Sequence, residues 1–303
     1  MKMMICRSAA AVVLLLLLSS CGGGSGNPGS TSAGNFTHVA VVVLENQNFS
    51  SIIGNANMPF LNSLASSNSL AHQYFANTHP SIGNYFMMTT GQTITNDDAF
   101  AGTVSDDNIA RELTSAGKTW KVYAESLPSP GYTGGDVFPY FKSHNPFAYF
   151  SDVVGTSQAS NLVPFSQLTT DLGNNALPNF LFLVPNIQND MHDCPAGFGT
   201  CTLADKATNT DTWLKNNLSA LLANTDFKSN GFLVITFDES ADDNTNGGGQ
   251  VATIIVGPRI KQAFTSNTMF QHQSLLRTSL ESLGVTTLPG AAASAPSMSE
   301  FLQ

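Results

Sequence analysis

The sequence predicts an α/β fold in which helices cover a mostly parallel central sheet. Three near-continuous apolar segments, 38–44, 179–184 and 232–237, have the composition of strands that are buried on both faces. Helical patterns alternate with these segments along the chain. Each segment is followed by polar or acidic residues, and open α/β sheets bind their ligands at the carboxyl ends of their strands. We therefore expect a site along that edge of the sheet.

The composition favours one large domain. The chain has 303 residues, and no internal repeat or interior linker divides it, so we predict a single catalytic domain over 36–303. Charged residues make up 11% of the chain and the formal net charge is −9. This balance leaves no electrostatic footprint for nucleic acid, which we exclude as a partner.

The first 21 residues have the pattern of an export signal. Two basic residues precede the apolar run 9–18, which is much shorter than the ~20 residues that span a bilayer. The ending Leu-Ser-Ser-Cys resembles a bacterial lipobox, so we expect Cys21 to carry a lipid anchor. The Gly/Ser-rich segment 22–35 would then be a flexible tether of about 20 Å. We expect a membrane-anchored lipoprotein on the periplasmic or cell-surface side; a plain secretory signal and a secreted protein are the alternative.

The first predicted strand ends on Glu45 and Asn46. A carboxylate at this position of a central strand is placed to bind a ligand, and the polar residues after it add groups without charge. A helix is then expected to begin at Pro59, since proline is favoured at the first helical position.

The segment 78–91 has the pattern of a nucleophile loop. Pro80 and Gly83 flank Ser81 in a tight connection, and an apolar helical pattern follows. The backbone N–H groups at such a helix start favour an anion such as phosphate. The alternative is that Ser81 is only the N-cap of the helix.

The middle of the chain continues the alternation and then departs from it. Asn108 is expected to cap a helix through residue 116, and 119–124 is a strand that ends on Glu125. The segment 128–170 is rich in aromatic residues, proline and glycine without clear periodicity. We expect it to cover the active face, with aromatics that grip a substrate or only pack.

After the strand at 179–184, Asp190, His192 and Asp193 lie in one loop. An imidazole beside two carboxylates is typical of a metal site or of a general acid with an acidic partner. Cys194 and Cys201 follow, and in an exported protein this short loop favours a disulfide over a metal pair.

The last third of the chain supplies a second acidic strand end. An amphipathic helix at 205–223 precedes the strand 232–237, which ends on Asp238 and Glu239. Because carboxylates at neighbouring strand ends repel each other, a shared cation is the best explanation for Glu45 and Asp238. A strand at 251–256 and a helix at 274–283 complete the domain. His272, before that helix, has the position of a capping or ligand-facing histidine.

Together these segments resemble the phosphoesterase family, which contains acid phosphatases and phospholipase C enzymes within the alkaline phosphatase superfamily. The resemblance is carried by segments at 43–46, 79–85, 120–125, 185–193, 236–239 and 272–277. It implies a three-layer α/β/α sandwich with a mostly parallel central sheet, as in alkaline phosphatase.

The resemblance also implies a site. It places a divalent metal of the Ca²⁺, Mg²⁺ or Mn²⁺ class on oxygen ligands and a serine nucleophile on Ser81. The implied metal ligands are Glu45, Asn46, Ser81, Asp238 and Glu239. The implied phosphate-binding and proton-transferring residues are His79, Asn84, His192 and His272, with Asp190 and Asp193 as a possible additional site. Many relatives have histidine where this chain has Gln250, so a second metal site is in doubt.

The expected activity is therefore metal-dependent hydrolysis of a phosphoric ester through a phosphoserine intermediate. Phosphomonoesters, phosphodiesters and phospholipid headgroups all stay open as substrates. Two other functions are weighed. An α/β-type serine carboxylesterase would use Ser81, Asp238 and His272 in that chain order, but has several strands before its nucleophile where we predict one. A non-catalytic binding lipoprotein is the third alternative.

Overall fold

The computed structural model describes residues 36–303. The predicted signal segment at 1–21, the lipid anchor at Cys21 and the tether at 22–35 lie outside the described residues. Within 36–303, no helix combines the length and the apolar character that crossing a membrane requires.

The strands of residues 36–303 build one sheet of eight strands and a second sheet of two. In chain order they are β1 (His38–Leu44), β2 (Ser69–Ala71), β3 (Tyr74–Phe75), β4 (Trp120–Ala124), β5 (Leu162–Pro164), β6 (Phe180–Val184), β7 (Gly231–Phe237), β8 (Ile254–Val256), β9 (Phe264–Ser266) and β10 (Phe270–Gln271). The order across the large sheet is β5-β4-β6-β1-β7-β8-β2-β9. Neighbours are parallel except for the two pairs that include β8. The predicted α/β fold with a mostly parallel sheet is confirmed.

β1 lies inside the large sheet, between β6 and β7. All seven of its residues are buried, which explains the unbroken apolar run in the sequence. Its register with β7 sets Leu44 opposite Phe237. The next residues, Glu45 and Asp238, therefore leave the sheet side by side, and Asp238 N donates to Leu44 O at 2.9 Å.

The helices of residues 36–303 form two packed groups. They are α1 (Phe49–Ile52), α2 (Pro59–Ser67), α3 (Ser81–Thr90), α4 (Ile109–Ser115), α5 (Gln167–Gly173), α6 (Leu203–Ala223), α7 (Thr225–Asn230) and α8 (His272–Ser282). α2 and α5 both pack on α6, whereas α3, α4 and α8 pack on one another. These groups are the outer layers of the predicted three-layer arrangement.

Side-chain caps fix several helix starts. Asn108 accepts a hydrogen bond from Arg111 N and begins α4 as the sequence indicates. Thr202 and Asp205 form a reciprocal capping box, which starts α6 at Leu203 instead of at the predicted residue 205.

One expectation about the order of elements was wrong. β2 and β3 also precede α3, where the sequence analysis recognised only β1, because strands of three and two residues carry no readable periodicity. The aperiodic segment 128–170 contains β5, part of α5 and three 3₁₀ helices. The 3₁₀ helices are Lys142–His144, Pro146–Tyr149 and Ser157–Asn161. The first of them brings an unexpected residue into the site.

Candidate active site

Ser81 is the first residue of α3. Pro80 takes the N-cap position in an extended conformation and makes no side-chain cap bond, so the alternative that Ser81 is the N-cap is wrong. The Ser81 hydroxyl turns toward the end of β1 instead, and Oγ donates to Glu45 Oε2 at 3.1 Å. A hydroxyl with a carboxylate acceptor thus lies at a helix N-terminus, where an anion is favoured.

Glu45 is fully buried and both of its oxygens are engaged. Oε1 accepts from the Tyr85 hydroxyl at 2.6 Å and lies 3.3 Å from His144 Nε2. Oε2 accepts from Ser81 Oγ and from Asn46 Nδ2, the latter at 3.2 Å. This carboxylate therefore connects α3, the segment 142–144 and the end of β1.

Asp238 lies beside Glu45 with one oxygen unsatisfied. Its Oδ1 accepts from Asn46 N at 3.0 Å, a bond that the left-handed backbone of Asn46 (φ 53°) allows. Its Oδ2 is buried and has no hydrogen-bond partner among residues 36–303. A buried carboxylate oxygen without a donor is costly, and a cation would satisfy it.

His144 joins this group although the sequence analysis counted it only among the aromatics of segment 128–170. Its Nδ1 lies 3.2 Å from Asp190 Oδ2, its Nε2 faces Glu45, and its ring stacks on Tyr85 at 5.3 Å. Ligand atoms of Glu45, His144 and Asp190 all lie within 4.8 Å of one another, so these residues could together hold a metal ion. Asp190, expected only as a possible additional site, belongs to this group.

Glu239, a predicted metal ligand, pairs with His79. His79 Nδ1 lies 3.0 Å from Glu239 Oε2, and His79 Nε2 donates to Asp243 O at 3.0 Å. Since a carbonyl oxygen can only accept, His79 Nε2 carries a hydrogen. Nδ1 is then the ring nitrogen that faces the carboxyl of Glu239.

Asn84 connects α3 to the segment before it. Its Oδ1 accepts from Asn77 N at 2.9 Å and from Thr78 N at 3.2 Å. Its Nδ2 donates to Thr78 O at 2.8 Å and to Glu239 Oε2 at 3.3 Å. In this arrangement the whole amide positions the loop, and the phosphate contact of Asn84 stays a prediction.

A run of glycines supports the same loop from the other side. Gly248 N donates to Ala76 O at 3.1 Å and Ala76 N donates to Gly249 O at 2.9 Å. A Cβ on Gly248 would come within 2.7 Å of the Ala76 Cβ, so glycine is required for this approach. The Gln250 side chain, at the position of the doubtful second metal site, donates to His72 O at 2.5 Å.

His272 is the first residue of α8 and is fully buried. Its Nε2 donates to the backbone Asp238 O at 2.6 Å, and its Nδ1 accepts from the Tyr74 hydroxyl at 3.1 Å. Burial lowers the pKa of His272 to about 4, so the ring is neutral. Both ring nitrogens are used, so His272 supports Asp238 and does not form the Ser81 relay that a carboxylesterase needs.

His192 lies at the open side of the site, with a side chain 40% exposed. Its Nδ1 is 2.9 Å from Asp193 Oδ1, and its ring centre is 6.3 Å from that of His144. Asp193 therefore pairs with His192 and not with the Glu45 group. Immediately after this pair, Cys194 and Cys201 form a disulfide with Cα atoms 5.5 Å apart.

The carboxyl groups of the site disfavour one another's ionisation, because they are buried and close together. Burial, followed by the charges of Asp238 and Asp190, holds the pKa of Glu45 well above its ordinary value. Burial also raises the pKa of Asp238 to about 6. Burial and then the charge of Asp238 raise the pKa of Glu239 to about 9. A divalent cation would relieve this repulsion, and carboxylates with one imidazole suit a hard ion.

The sequence matches the Phosphoesterase family over residues 55–285, which is more than half of the chain. This chain belongs to that family. The match includes every candidate site residue of the described chain except Glu45 and Asn46, which lie about ten residues before its start. The family assignment makes the protein a phosphoric ester hydrolase.

Two relatives and one solved structure illustrate the range of the family resemblance. The chain is 35% identical over 268 residues to a phosphatidylinositol-3-phosphatase of Mycobacterium tuberculosis, which covers 88% of this chain and 83% of the relative. It is 27% identical over 266 residues to an acid phosphatase of Aspergillus fumigatus, covering 84% of this chain and 56% of that longer protein. An alkaline phosphatase superfamily protein from Vibrio parahaemolyticus shares the fold, with a TM-score of 0.59, 15% identity and coverage of 84% and 68%.

Proposed function

We propose that this phosphoesterase is a phosphatase that cleaves phosphomonoesters with Ser81 as the nucleophile. The observation that carries the proposal is the hydrogen bond from Ser81 Oγ to Glu45 Oε2, at the start of α3 and beside the unsatisfied Asp238. The Ser81 hydroxyl, the Glu45 oxygen that accepts its proton and the unsatisfied carboxyl of Asp238 lie together there. These are the parts that phosphoryl transfer to a serine requires.

In the first half-reaction, Ser81 Oγ forms a bond to phosphorus as the bond from phosphorus to the ester oxygen breaks. The hydroxyl proton leaves along the hydrogen bond to Glu45. His192 is oriented by Asp193 and donates a proton to the departing alcohol. In the second half, water gives a proton to His192 and attacks phosphoserine, and Ser81 recovers its proton as phosphate leaves.

The residues that would hold a divalent cation lie around the same hydroxyl. They are Glu45, Asp238, Asp190 and His144, with Asn46 and Glu239 from the predicted set next to them. When bound, the cation supplies positive charge that lowers the pKa of the serine hydroxyl and stabilises charge on the phosphoryl group. The chain itself holds its ligands in place through Tyr85, Asn46 and His272.

The names of the relatives support a monoester substrate. A phosphatidylinositol 3-phosphatase and acid phosphatases both release phosphate from a monoester. We therefore place phosphomonoesters, including the 3-phosphate of an inositol lipid, ahead of the phosphodiesters that a phospholipase C cleaves.

A panel of p-nitrophenyl esters tests the proposal. The full chain should hydrolyse p-nitrophenyl phosphate faster than bis-p-nitrophenyl phosphate or p-nitrophenyl acetate, and chelation should abolish this until a divalent cation is returned. Ser81→Ala should lower kcat on the order of a thousandfold without unfolding the protein. Ser219→Ala, on the exposed face of α6, is the matched control. Chelator-resistant turnover, or near-normal turnover of Ser81→Ala, would contradict the proposal.

A further inference from the structure

A cavity of about 340 Å³ lies next to the candidate active site. Its walls come from two segments, 98–101 and 133–136, with Lys142 and Tyr149 from the 3₁₀ helices. Ligand pockets in proteins start at about 300 Å³, so the space suits one ring-sized group.

Two connections join this cavity to the reacting groups. Asp98, on one wall, accepts a hydrogen bond through Oδ1 from Ile82 N at 3.0 Å, and Ile82 follows Ser81. Lys142, on the other wall, belongs to the same 3₁₀ helix as His144. One wall of the cavity is therefore hydrogen-bonded to the residue after the nucleophile. The other wall is continuous in the chain with His144 of the Glu45 group.

Lys142 is the least satisfied polar group of the cavity. Its ammonium lies 4.1 Å from the centre of the Tyr149 ring, and within residues 36–303 it has no carboxylate at ion-pair distance. Its backbone N donates to Asp136 Oδ1 at 2.7 Å, and the exposed Asp136 lines the same cavity. The Lys142 ammonium offers hydrogen-bond donors, and Asp98 and Asp136 offer acceptors. The wall of the cavity therefore contains both donors and acceptors.

The remaining surface is aromatic. Phe100 is partly exposed and stacks on the buried Tyr149 with ring centres 5.7 Å apart, so Phe100 is the aromatic side chain that a ligand in the cavity can reach. Donors, acceptors and a ring face together match a group with many hydroxyls on a carbon ring. They match a second phosphate less well, because two carboxylates against one ammonium leave this space with a net negative charge.

We propose that this cavity, defined by Asp98, Phe100, Asp136, Lys142 and Tyr149, binds a cyclic polyol leaving group, a cyclitol or a sugar. The inference rests on the proposed phosphatase function and adds the class of alcohol that the ester carries. Lys142 donates to ring hydroxyls, Asp136 accepts from them, and the carbon face of the ring lies on Phe100. Binding of the ring in this cavity raises kcat/KM by positioning the ester.

Two esters with the same ring size and the same secondary alcohol test the inference. We would measure kcat/KM for myo-inositol 3-phosphate and for cyclohexyl phosphate, which lacks the hydroxyls, using the full chain with its divalent cation. The inositol ester should be preferred at least about tenfold, the effect of one or two hydrogen bonds to charged groups. Lys142→Met and Asp136→Asn should each reduce this ratio severalfold. Lys118→Met, next to the amino end of β4, should leave it unchanged.

The outcomes separate this inference from the proposed function. Hydrolysis of both esters with a ratio near one, or a ratio that neither variant changes, overturns the polyol pocket and leaves the phosphatase in place. Hydrolysis of p-nitrophenyl phosphate but of neither ring ester also overturns the pocket alone, whereas hydrolysis of none of the three esters overturns the phosphatase and the pocket with it. Dioctanoyl phosphatidylinositol 3-phosphate distinguishes the sources of the ring: a higher kcat/KM than the free cyclitol ester identifies a lipid headgroup, and a lower one a soluble ester, both of which require the pocket.

Discussion

At the scale of single residues, Glu45 connects the largest number of functional groups. Ser81, Tyr85, Asn46 and His144 all contact its two oxygens. The residue was predictable, because an acid directly after a buried apolar strand is easily recognised. His144 was not, since a single histidine in an aperiodic segment carries no spacing that indicates its neighbours.

His144→Gln should weaken binding of the divalent cation. The glutamine keeps much of the volume but removes the imidazole between Glu45 and Asp190, so we expect affinity for Mn²⁺ to fall at least about tenfold. Calorimetric titration of the chelated protein measures this directly. His72→Gln is the control, since the contacts of the His72 ring are with Gln73 and Phe49, neither of which is a proposed metal ligand. Equal affinities in the variant and the wild type would exclude His144 from the metal site.

The pKa values of Asp238 and Glu239 predict an unusual pH dependence for the cation-free protein. Both values lie above those of the unfolded chain, at about 6 and about 9, so the folded state binds more protons than the unfolded state. The free energy of unfolding therefore falls as pH rises from about 4 to about 9. Thermal denaturation in chelator should show a Tm that decreases across this range.

A divalent cation should reverse this trend at neutral pH. At a concentration of 100 Kd it adds about 2.7 kcal/mol to the free energy of unfolding. Asp238→Asn should flatten the decrease of Tm between pH 4 and pH 6 in the chelated protein, because it removes one of the buried carboxyls whose pKa is raised. A Tm that rises with pH in chelator would show that the carboxyls are not held in the protonated form.

At the scale of elements, α3 depends on the segment that precedes it. Asn84 forms hydrogen bonds to two backbone N–H groups and one carbonyl of residues 77 and 78. The glycines at 248 and 249 form hydrogen bonds to residue 76 of the same segment. The position of Ser81 is thus set by loop contacts as well as by its own helix. The sequence indicated the loop but not the glycine contacts, because they join residues about 170 positions apart.

Asn84→Ala should lower stability as well as activity. The substitution leaves buried donors and an acceptor unsatisfied, which costs about 3 kcal/mol in total. Urea denaturation of the variant and of Asn217→Ala, a surface asparagine of α6, gives the comparison. A variant that loses kcat/KM at unchanged stability would instead support the phosphate contact that the family resemblance implies for Asn84.

At the scale of the whole molecule, the sequence predicted the fold class and the central strands, because parallel strands buried on both faces need long apolar runs. It did not predict β2 or β3, and it predicted a strand at 251–256, where β8 lies, but not the antiparallel direction of that strand. Two- and three-residue strands are fixed by their neighbours and not by their own composition. Of the site, the acids at strand ends were predictable and the contribution of segment 128–170 was not.

Anchoring through Cys21 stays a prediction of the sequence. Cys21→Ser should release the protein from the membrane fraction, since the thiol is the group that would carry the lipid. Fractionation and mass measurement of the mature N-terminus check this. A membrane-bound Cys21→Ser protein that is cleaved at the same position would contradict the anchor.

The position of β1 has a consequence for biosynthesis. The strand is made early, yet its two neighbours, β6 and β7, end at residues 184 and 237. During elongation its seven residues, six of them apolar, therefore remain without partners that are up to about 190 positions away, and the site acids Glu45 and Asp238 meet only afterwards. Folding with so many distant pairings is slow, on the scale of milliseconds to seconds. A nascent chain stalled before residue 237 thus contains Ser81 and Glu45 but no functional centre, and it exposes a strand edge that a chaperone would have to cover.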